Sequence, residues 1–185
     1  MIVAGFILIV VFVINSIISN LNSPVSGKVT VGNDTAHPNT TIRVNLKPKL
    51  QNGTFVSFYY PTGLSPRPTN NPITAPDLEN YTYRVADITS WLLSVNISIL
   101  KGATLSGDSG YLLRFNDPAT YKESTVSANN QSYTVFSDQN AAFSKVAYII
   151  HGNKLASITL SGDDNAGTKP LDTSFMMVLN SLTWH

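Results

Sequence analysis

Cysteine is absent from this 185-residue chain. Thiolate nucleophiles, cysteine-ligated zinc sites and disulfides are therefore excluded. Charge is also scarce, because Asp, Glu, Lys and Arg make up 12% of the residues, about half the usual share. The net charge of +1 gives no attraction to a phosphate backbone, so nucleic acid is not expected as a partner. Asn, Ser and Thr provide the polar surface instead, which favours an exported protein over a cytosolic one.

The N-terminal segment is uncharged up to Lys28 and strongly apolar. Residues 1–14 form an unbroken apolar run that Ile17 and Ile18 extend to about 18 residues, close to the length that spans a bilayer. The segment has neither a basic region before the run nor a clear cleavage site, so we predict an uncleaved transmembrane helix over residues 1–20 rather than a signal peptide. A buried core helix is the alternative, but the polar segment that follows offers it nothing to pack against.

The side of the membrane is less directly encoded. The positive-inside rule, applied to the basic residues that follow the apolar run, places the folded domain in the cytoplasm. The low charge of the domain favours the opposite side. We predict a single-pass protein of the cell membrane with an extracytoplasmic domain.

A pilin-like surface subunit is an alternative interpretation of the same N-terminus. Gly5-Phe6-Ile7-Leu8-Ile9 resembles the processing site and first helical turn of type IV pilins. Those proteins carry Glu where Val10 stands here, and their helix continues well beyond the position of Pro24. A plain membrane anchor therefore fits the segment better.

The rest of the chain divides into a linker and one folded domain. Residues 21–40 are rich in Asn, Ser, Gly, Thr and Pro and lack hydrophobic periodicity, which is typical of a flexible linker. The domain is predicted over residues 41–185. Alternating side chains within it predict strands at 42–46, 55–60, 83–86, 91–99 and 131–136. A turn at 51–53, an irregular loop at 64–76, a short strand or helix at 111–115 and a helical turn after Asp117 complete the prediction.

The strongest local pattern is a β-hairpin over residues 145–161 with a two-residue turn at Gly152-Asn153. The turn predicts that His151 pairs with Lys154. This register places five small or apolar side chains on one face of the hairpin: Ala147, Ile149, Ala156, Ile158 and Leu160.

A helix is predicted to cover that face, because two alanines leave room for close approach. Phe175, Val178, Leu179 and Leu182 recur at helical spacing after Pro170. Asp172 is predicted to cap this helix, with Leu171 and Met176 as a hydrophobic staple. The predicted fold class is α+β: an antiparallel β-sheet with a C-terminal helix packed on it, preceded by the transmembrane helix.

The domain resembles a known family in residues 50–185. The similarity lies in residues 55–61, in Arg114, 116–118 and Tyr121, in the hairpin, and in the segment from Phe175 to Trp184. These resemble the PsbP-like domain family, which includes the extrinsic photosystem II subunit PsbP and its bacterial exported relatives. The resemblance implies an antiparallel sheet with packed helices and a binding or assembly role.

One segment suggests catalysis. Gly107-Asp108-Ser109-Gly110 resembles the nucleophile motif of chymotrypsin-type proteases, and His37 followed by Asp77 or Asp87 would complete a triad in the right order. However, His37 lies in the linker, and a domain of this length cannot form the two barrels that frame such a site. The alternative is a polar turn, so a serine hydrolase using Ser109 is kept only as the second hypothesis.

Other candidate sites are weaker. Residues 162–167 carry oxygen ligands at alternate positions but lack the spacing of a calcium loop. His151 and His185 have no partners at ligand spacing. The aromatic residues could line a carbohydrate or peptide groove or could pack in the core: Tyr59, Tyr60, Tyr81, Tyr83 and Trp91. We therefore predict no catalytic, metal or cofactor residues, and a membrane-anchored, extracytoplasmic, non-enzymatic binding or assembly module with a possible protein partner.

Overall fold

A computed structural model describes residues 45–67, 73, 75–85, 92–102, 104–140, 144–162 and 169–185. The predicted transmembrane helix at 1–20 and the linker at 21–40 lie outside these residues. Within the described ranges, no helix has both the length and the apolar character needed to cross a membrane.

The described residues form ten strands, two α-helices and a 3-10 turn. In chain order they are β1 Pro48–Asn52, β2 Val56–Pro61, β3 Leu64–Arg67, β4 Asp77–Val85, β5 Leu92–Ile99, the 3-10 turn Leu105–Gly107, α1 Ser109–Phe115, β6 Tyr121–Ala128, β7 Gln131–Asp138, β8 Lys145–His151, β9 Lys154–Ser161, α2 Lys169–Leu179 and β10 Thr183–Trp184. Seven strands form one antiparallel sheet in the order β3-β4-β5-β9-β8-β7-β6. A second antiparallel sheet has the order β1-β2-β10.

The predicted β8–β9 hairpin is confirmed in position and register. His151 pairs with Lys154 and Ala147 with Ile158. Gly152 has a φ of +62°, as the first central residue of a type II′ turn requires. Ala147, Ala156 and Ile158 are fully buried on the predicted face.

Helix α2 covers that face, as predicted. Phe175, Val178, Leu179 and Leu182 are buried in one cluster with the hairpin residues. Val56 and Phe58 of β2 belong to the same cluster, and α2 contacts both β2 and β9. The main core therefore lies between one face of the seven-stranded sheet, here called the inner face, and a layer formed by α2 and β2.

The predicted start of the C-terminal helix was wrong. Helix α2 begins at Lys169, so Asp172 lies in its first turn and does not cap it. A proline in the first turn is tolerated because the N–H that it lacks has no partner inside the helix. The Asp172 Oδ1 instead accepts a hydrogen bond from Lys145 Nζ at 2.8 Å. Leu171 is buried in the main core and does not form the predicted staple.

Two predictions at the beginning of the domain also need correction. The first described strand starts at Pro48, whereas Leu46 lies outside any strand, and residues 42–44 are not described. Part of the predicted loop at 64–76 is strand β3. Strand β3 lies at the edge of the sheet. Proline lacks a backbone N–H, and an edge strand tolerates Pro66 because one side of the strand has no neighbouring strand that needs this donor.

Other strands are longer than predicted or were not predicted. Strand β4 extends back to Asp77, and β6 was not predicted at all. The predicted strand at 91–99 is confirmed over β5, with Leu93, Val95 and Ile97 buried, but Ile99 is 47% exposed rather than facing the core. The predicted strand at 131–136 is confirmed within β7.

A smaller core lies on the opposite side of the seven-stranded sheet, here called the outer face. Leu100, Phe136, Val146, Tyr148 and Leu155 are buried there. Residues 111–115, predicted as a strand or a helix, are helical and belong to α1. Tyr111 packs against this core, so α1 covers one part of the outer face and leaves the rest uncovered.

Candidate binding surface on the outer face of the sheet

The outer face carries a row of uncharged polar side chains, one of which, Tyr148, is buried against α1. Because side chains alternate along a strand, residues paired across strands lie on the same face. The pairing aligns one residue from each of six neighbouring strands in a single row: Asn80, Asn96, Ser157, Tyr148, Thr134 and Thr125. Every member of this row is an amide or a hydroxyl, so the row can donate and accept hydrogen bonds without attracting ions.

Hydrogen bonds order the amide end of the row. Asn96 Nδ2 donates to Asp77 Oδ1 at 2.9 Å, and Asn80 Nδ2 donates to Asn96 Oδ1 at 3.4 Å. Thr82 Oγ1 donates to Asn80 Oδ1 at 3.1 Å. These contacts hold the two amides in defined orientations, which reduces the side-chain entropy that the amides lose when a partner binds them.

An open groove of about 430 Å³ lies near the centre of the row. It is lined by Leu105, Gln131, Ser132, Thr134, Tyr148, Ile149 and Ile150. The lining combines aliphatic and hydroxyl side chains and carries no charge at neutral pH, whereas the Gln131 Nε2 donates to the Leu182 carbonyl. Such a lining suits an uncharged partner that offers both apolar area and hydrogen-bonding groups.

Arg114 fixes the wall of the groove on the α1 side. Its Nη1 donates to Tyr148 Oη at 2.9 Å and to Gly110 O at 2.8 Å. Its guanidinium lies 5.6 Å from the centre of the Tyr121 ring. Burial raises the pKa of Tyr148 to about 12 although Arg114 acts in the opposite direction. Tyr148 therefore remains a neutral hydroxyl that accepts a hydrogen bond from Arg114.

The protease-like motif forms the beginning of α1. The Asp108 side chain accepts a hydrogen bond from the Tyr111 N–H at 2.7 Å and caps the helix. Ser109 is the first helical residue and is exposed. A Cβ on Gly110 would lie 3.2 Å from Asp108 Oδ1, so the glycine permits this close approach. The local geometry explains the motif as a helix start, in line with the polar-turn alternative.

The residues proposed to complete a triad are not brought to Ser109 by any contact between described residues. Asp77 lies in β4 and accepts a hydrogen bond from Asn96. His37 and Asp87 are outside the described residues. In the described ranges the Ser109 side chain has no hydrogen bond to a base, which a nucleophilic serine requires.

Comparison with known proteins supports one fold. No protein family model matches this chain, and no curated protein matches its sequence. Among solved structures, the cyanobacterial PsbP of Synechocystis sp. PCC 6803 aligns with a TM-score of 0.52 at 15% sequence identity, over 88% of this chain and 100% of that one. The domain has a PsbP-like fold. A structure from Bacteroides thetaiotaomicron aligns with a TM-score of 0.49 at 13% identity, over 76% of this chain and 49% of that one.

The PsbP-like resemblance of the sequence is thereby confirmed for the fold. The tyrosines that could have lined a groove divide between the core and the surface of the PsbP-like domain. Tyr60 and Tyr83 are almost completely buried, with ring centres 4.2 Å apart. Tyr59 is 44% exposed, and Trp91 is outside the described residues. The described tyrosines therefore pack in and around the core of the PsbP-like domain and do not form a common groove.

A buried carboxylate that the sequence analysis missed connects the two sheets of the PsbP-like domain. Glu79 of β4 is 7% exposed and lies on the inner face. Its Oε1 accepts hydrogen bonds from the backbone N–H groups of Thr54 and Phe55, in the turn between β1 and β2. Burial and the neighbouring Glu79 charge raise the pKa of Tyr81 to about 12. A Cβ on Gly53 would lie 2.9 Å from the Val56 carbonyl oxygen and would also collide with Tyr81 Oη, so this turn requires glycine.

The two described histidines of the PsbP-like domain make structural contacts. The His151 ring stacks on Trp184 with centres 5.1 Å apart. The backbone N–H of His185 donates to the Phe55 carbonyl at 2.9 Å. In the described part of the chain, no three His, Asp or Glu residues are grouped closely enough to hold a metal ion. The possible calcium loop at 162–167 falls largely in undescribed residues.

Proposed function

We propose that this chain is a membrane-anchored, extracytoplasmic binding or assembly module without catalytic activity. In this proposal residues 1–20 span the membrane once, residues 21–40 form a linker, and residues 41–185 form the PsbP-like domain. The apolar N-terminal run supports the anchor. The likeness to cyanobacterial PsbP supports a role in binding rather than in chemistry.

The groove on the outer face is the observation that carries the binding role. Its lining is uncharged, and the row adds hydroxyl and amide groups on both sides of the buried Tyr148. We propose that it binds an uncharged polar surface of a protein partner. Binding of this kind depends on shape and hydrogen bonds, so its affinity should change little with ionic strength.

A pull-down of the full chain from native membranes tests this assignment. Thr134→Arg places a long charged side chain in the groove, whereas Thr183→Arg places the same side chain at an exposed position of β10. We expect the first variant to lose the captured partner and the second to retain it, provided that both unfold at the wild-type urea concentration. Equal capture by the two variants would show that the groove is not the binding site.

Labelling with a fluorophosphonate probe tests the hydrolase alternative. The Asp108 carboxylate is occupied by the helix cap and Ser109 has no described base, so we expect no labelling. We also expect Ser109→Ala to change the free energy of unfolding by no more than about 0.5 kcal/mol, as for an exposed position. Labelling of the wild type that disappears in Ser109→Ala would support the hydrolase instead.

A further inference from the structure

Helix α1 presents three large apolar side chains to solvent. Leu113 is 65% exposed, Phe115 is 52% exposed and Leu112 is 36% exposed. These three residues are here called the α1 surface. Single exposed apolar residues are common on soluble domains, but three within four consecutive positions on a seven-residue helix form a patch that needs an explanation.

The opposite side of α1 is firmly attached to the sheet. The Tyr111 ring packs edge-on against Phe136, with centres 5.5 Å apart, and against Tyr148 at 5.8 Å. The Arg114 hydrogen bonds to Tyr148 and Gly110 add a polar attachment. Because these contacts fix the rotation of the helix, the α1 surface cannot turn inward without breaking them. The exposure of its side chains therefore follows from the packing of α1.

The surroundings of the α1 surface are electrically mixed. Lys101 and Glu123 are exposed on segments adjoining α1. The carboxylate of Asp117 accepts a hydrogen bond from the Thr120 N–H. With both signs present, a strongly charged partner gains little from this region. The α1 surface is therefore suited to an apolar partner.

We propose that the α1 surface inserts into the interface of the lipid bilayer to which the chain is tethered. This inference rests on the proposed anchor at residues 1–20. A flexible linker over residues 21–40 has a root-mean-square span of about 25 Å. The radius of gyration of a domain of this size is about 15 Å. When extended, the 20 linker residues span up to about 70 Å, so the bilayer is within reach of any face of the domain, and the exposed apolar side chains decide which face contacts it.

Tethering makes a weak contact sufficient. Since the domain is held near the bilayer, its effective concentration at the lipid surface is high, and insertion becomes an intramolecular step. Leu and Phe are side chains that partition into the boundary between head groups and acyl chains. Because the contact is apolar, it should form on uncharged phosphatidylcholine and should persist at high salt.

Single-cysteine labelling tests the insertion, because the absence of cysteine makes any introduced thiol unique. The full chain is reconstituted into phosphatidylcholine vesicles that contain a lipid with a nitroxide quencher near the head group. A nitrobenzoxadiazole label is attached through Leu112→Cys, or through Asn180→Cys at an exposed position after α2 as a control. We expect several-fold stronger quenching at position 112 than at position 180. We also expect Leu113→Ser with Phe115→Ser to reduce quenching at position 112 to the control level.

The other outcomes separate the two proposals. If the unprocessed full chain does not float with the vesicles, the anchor is wrong and this inference fails with it. If the chain floats but the labels at positions 112 and 180 are quenched equally, the anchor stands and insertion of the α1 surface is refuted. If the label at position 112 is shielded from lipid and transfers energy to labels on other copies, a second copy covers the α1 surface and the inference is likewise refuted.

Discussion

The buried Glu79 offers the most specific test of how the two sheets are connected. Its Oε1 accepts hydrogen bonds from two consecutive backbone N–H groups, those of Thr54 and Phe55. These groups lie in the turn that joins β1 to β2, whereas Glu79 lies in β4 of the other sheet. Glu79→Ala removes the acceptor and leaves both donors without a partner from β4. We expect this variant to loosen the attachment of the small sheet.

The magnitude follows from the two donors. A fully buried donor left unsatisfied costs about 1–3 kcal/mol. The Thr54 and Phe55 N–H groups are only partly buried, so Glu79→Ala should lower the free energy of unfolding by about 1–3 kcal/mol in total. Glu79→Gln retains an acceptor oxygen for the same N–H groups but lacks the charge. Because hydrogen bonds to charged groups are about twice as strong as neutral ones, Glu79→Gln should cost about 1 kcal/mol. The expected order of stability is wild type, then Gln, then Ala.

Urea unfolding of residues 41–185, followed by circular dichroism, measures these differences. With a typical urea slope of about 2 kcal/mol/M, Glu79→Ala should lower the midpoint by about 0.5–1.5 M. Glu123→Gln is the matched control, since Glu123 is an exposed carboxylate on β6, and its midpoint should remain at the wild-type value. If Glu79→Ala and Glu123→Gln had the same midpoint, Glu79 would not hold the β1–β2 turn and the reasoning from its burial would fail.

Three further predictions concern the core and its tyrosines. Leu179 is fully buried, so Leu179→Ala should lower the free energy of unfolding by about 2–5 kcal/mol. Asn180→Ala, at the exposed position after α2, should lower it by less than about 0.5 kcal/mol. Equal urea midpoints for the two variants would show that α2 does not cover the hairpin. Ala156→Leu should cost about 1–3 kcal/mol by overpacking the place where α2 approaches β9. Burial raises the pKa of Tyr133 and of Tyr148 to about 12, and both ionise near the ordinary value of about 10 in the unfolded chain. Stability should therefore fall between about pH 10 and about pH 12, by about 1.4 kcal/mol per pH unit for each tyrosine, and urea midpoints that stay constant across this range would contradict the burial of both hydroxyls.

The elements that could be predicted are those whose signal lies within a few residues. The β8–β9 hairpin was predicted in full because Gly152 permits the positive φ of its turn and alternation marks its buried face. Helix α2 was predicted through the spacing of Phe175, Val178 and Leu179. Its first residue was placed wrongly, because the start of a helix depends on capping partners that the hydrophobic pattern does not reveal. A second turn, Asn129-Asn130, joins β6 to β7 and has positive φ values of 49° and 57°. Asn tolerates positive φ, so the Asn-Asn pair was a local turn signal that the sequence analysis missed.

Strands at the edges of the sheet could not be predicted in this way. Strand β6 is polar along most of its length, with Val126 and Ala128 turned toward the core, so it shows no clear alternation. Strand β3 contains Pro66, which local rules assign to a loop. Both are strands because each has a neighbour that supplies hydrogen bonds on one side. An edge strand pairs with one neighbouring strand and is exposed to solvent on its other side. Neither the pairing nor the exposure can be recognised from the residues of the edge strand alone.

The sequence by itself determined the absence of thiol chemistry, the near-neutral charge, the hairpin with its register and the apolar face of the C-terminal helix. These properties depend on composition or on side chains close together in the chain. The tertiary structure alone decided the order of the strands, the row of polar residues from Asn80 to Thr125 across six strands, and the position of Glu79 under the β1–β2 turn. The physical reason is that pairing between distant strands is chosen by the packing of the whole core, and no short segment contains that information.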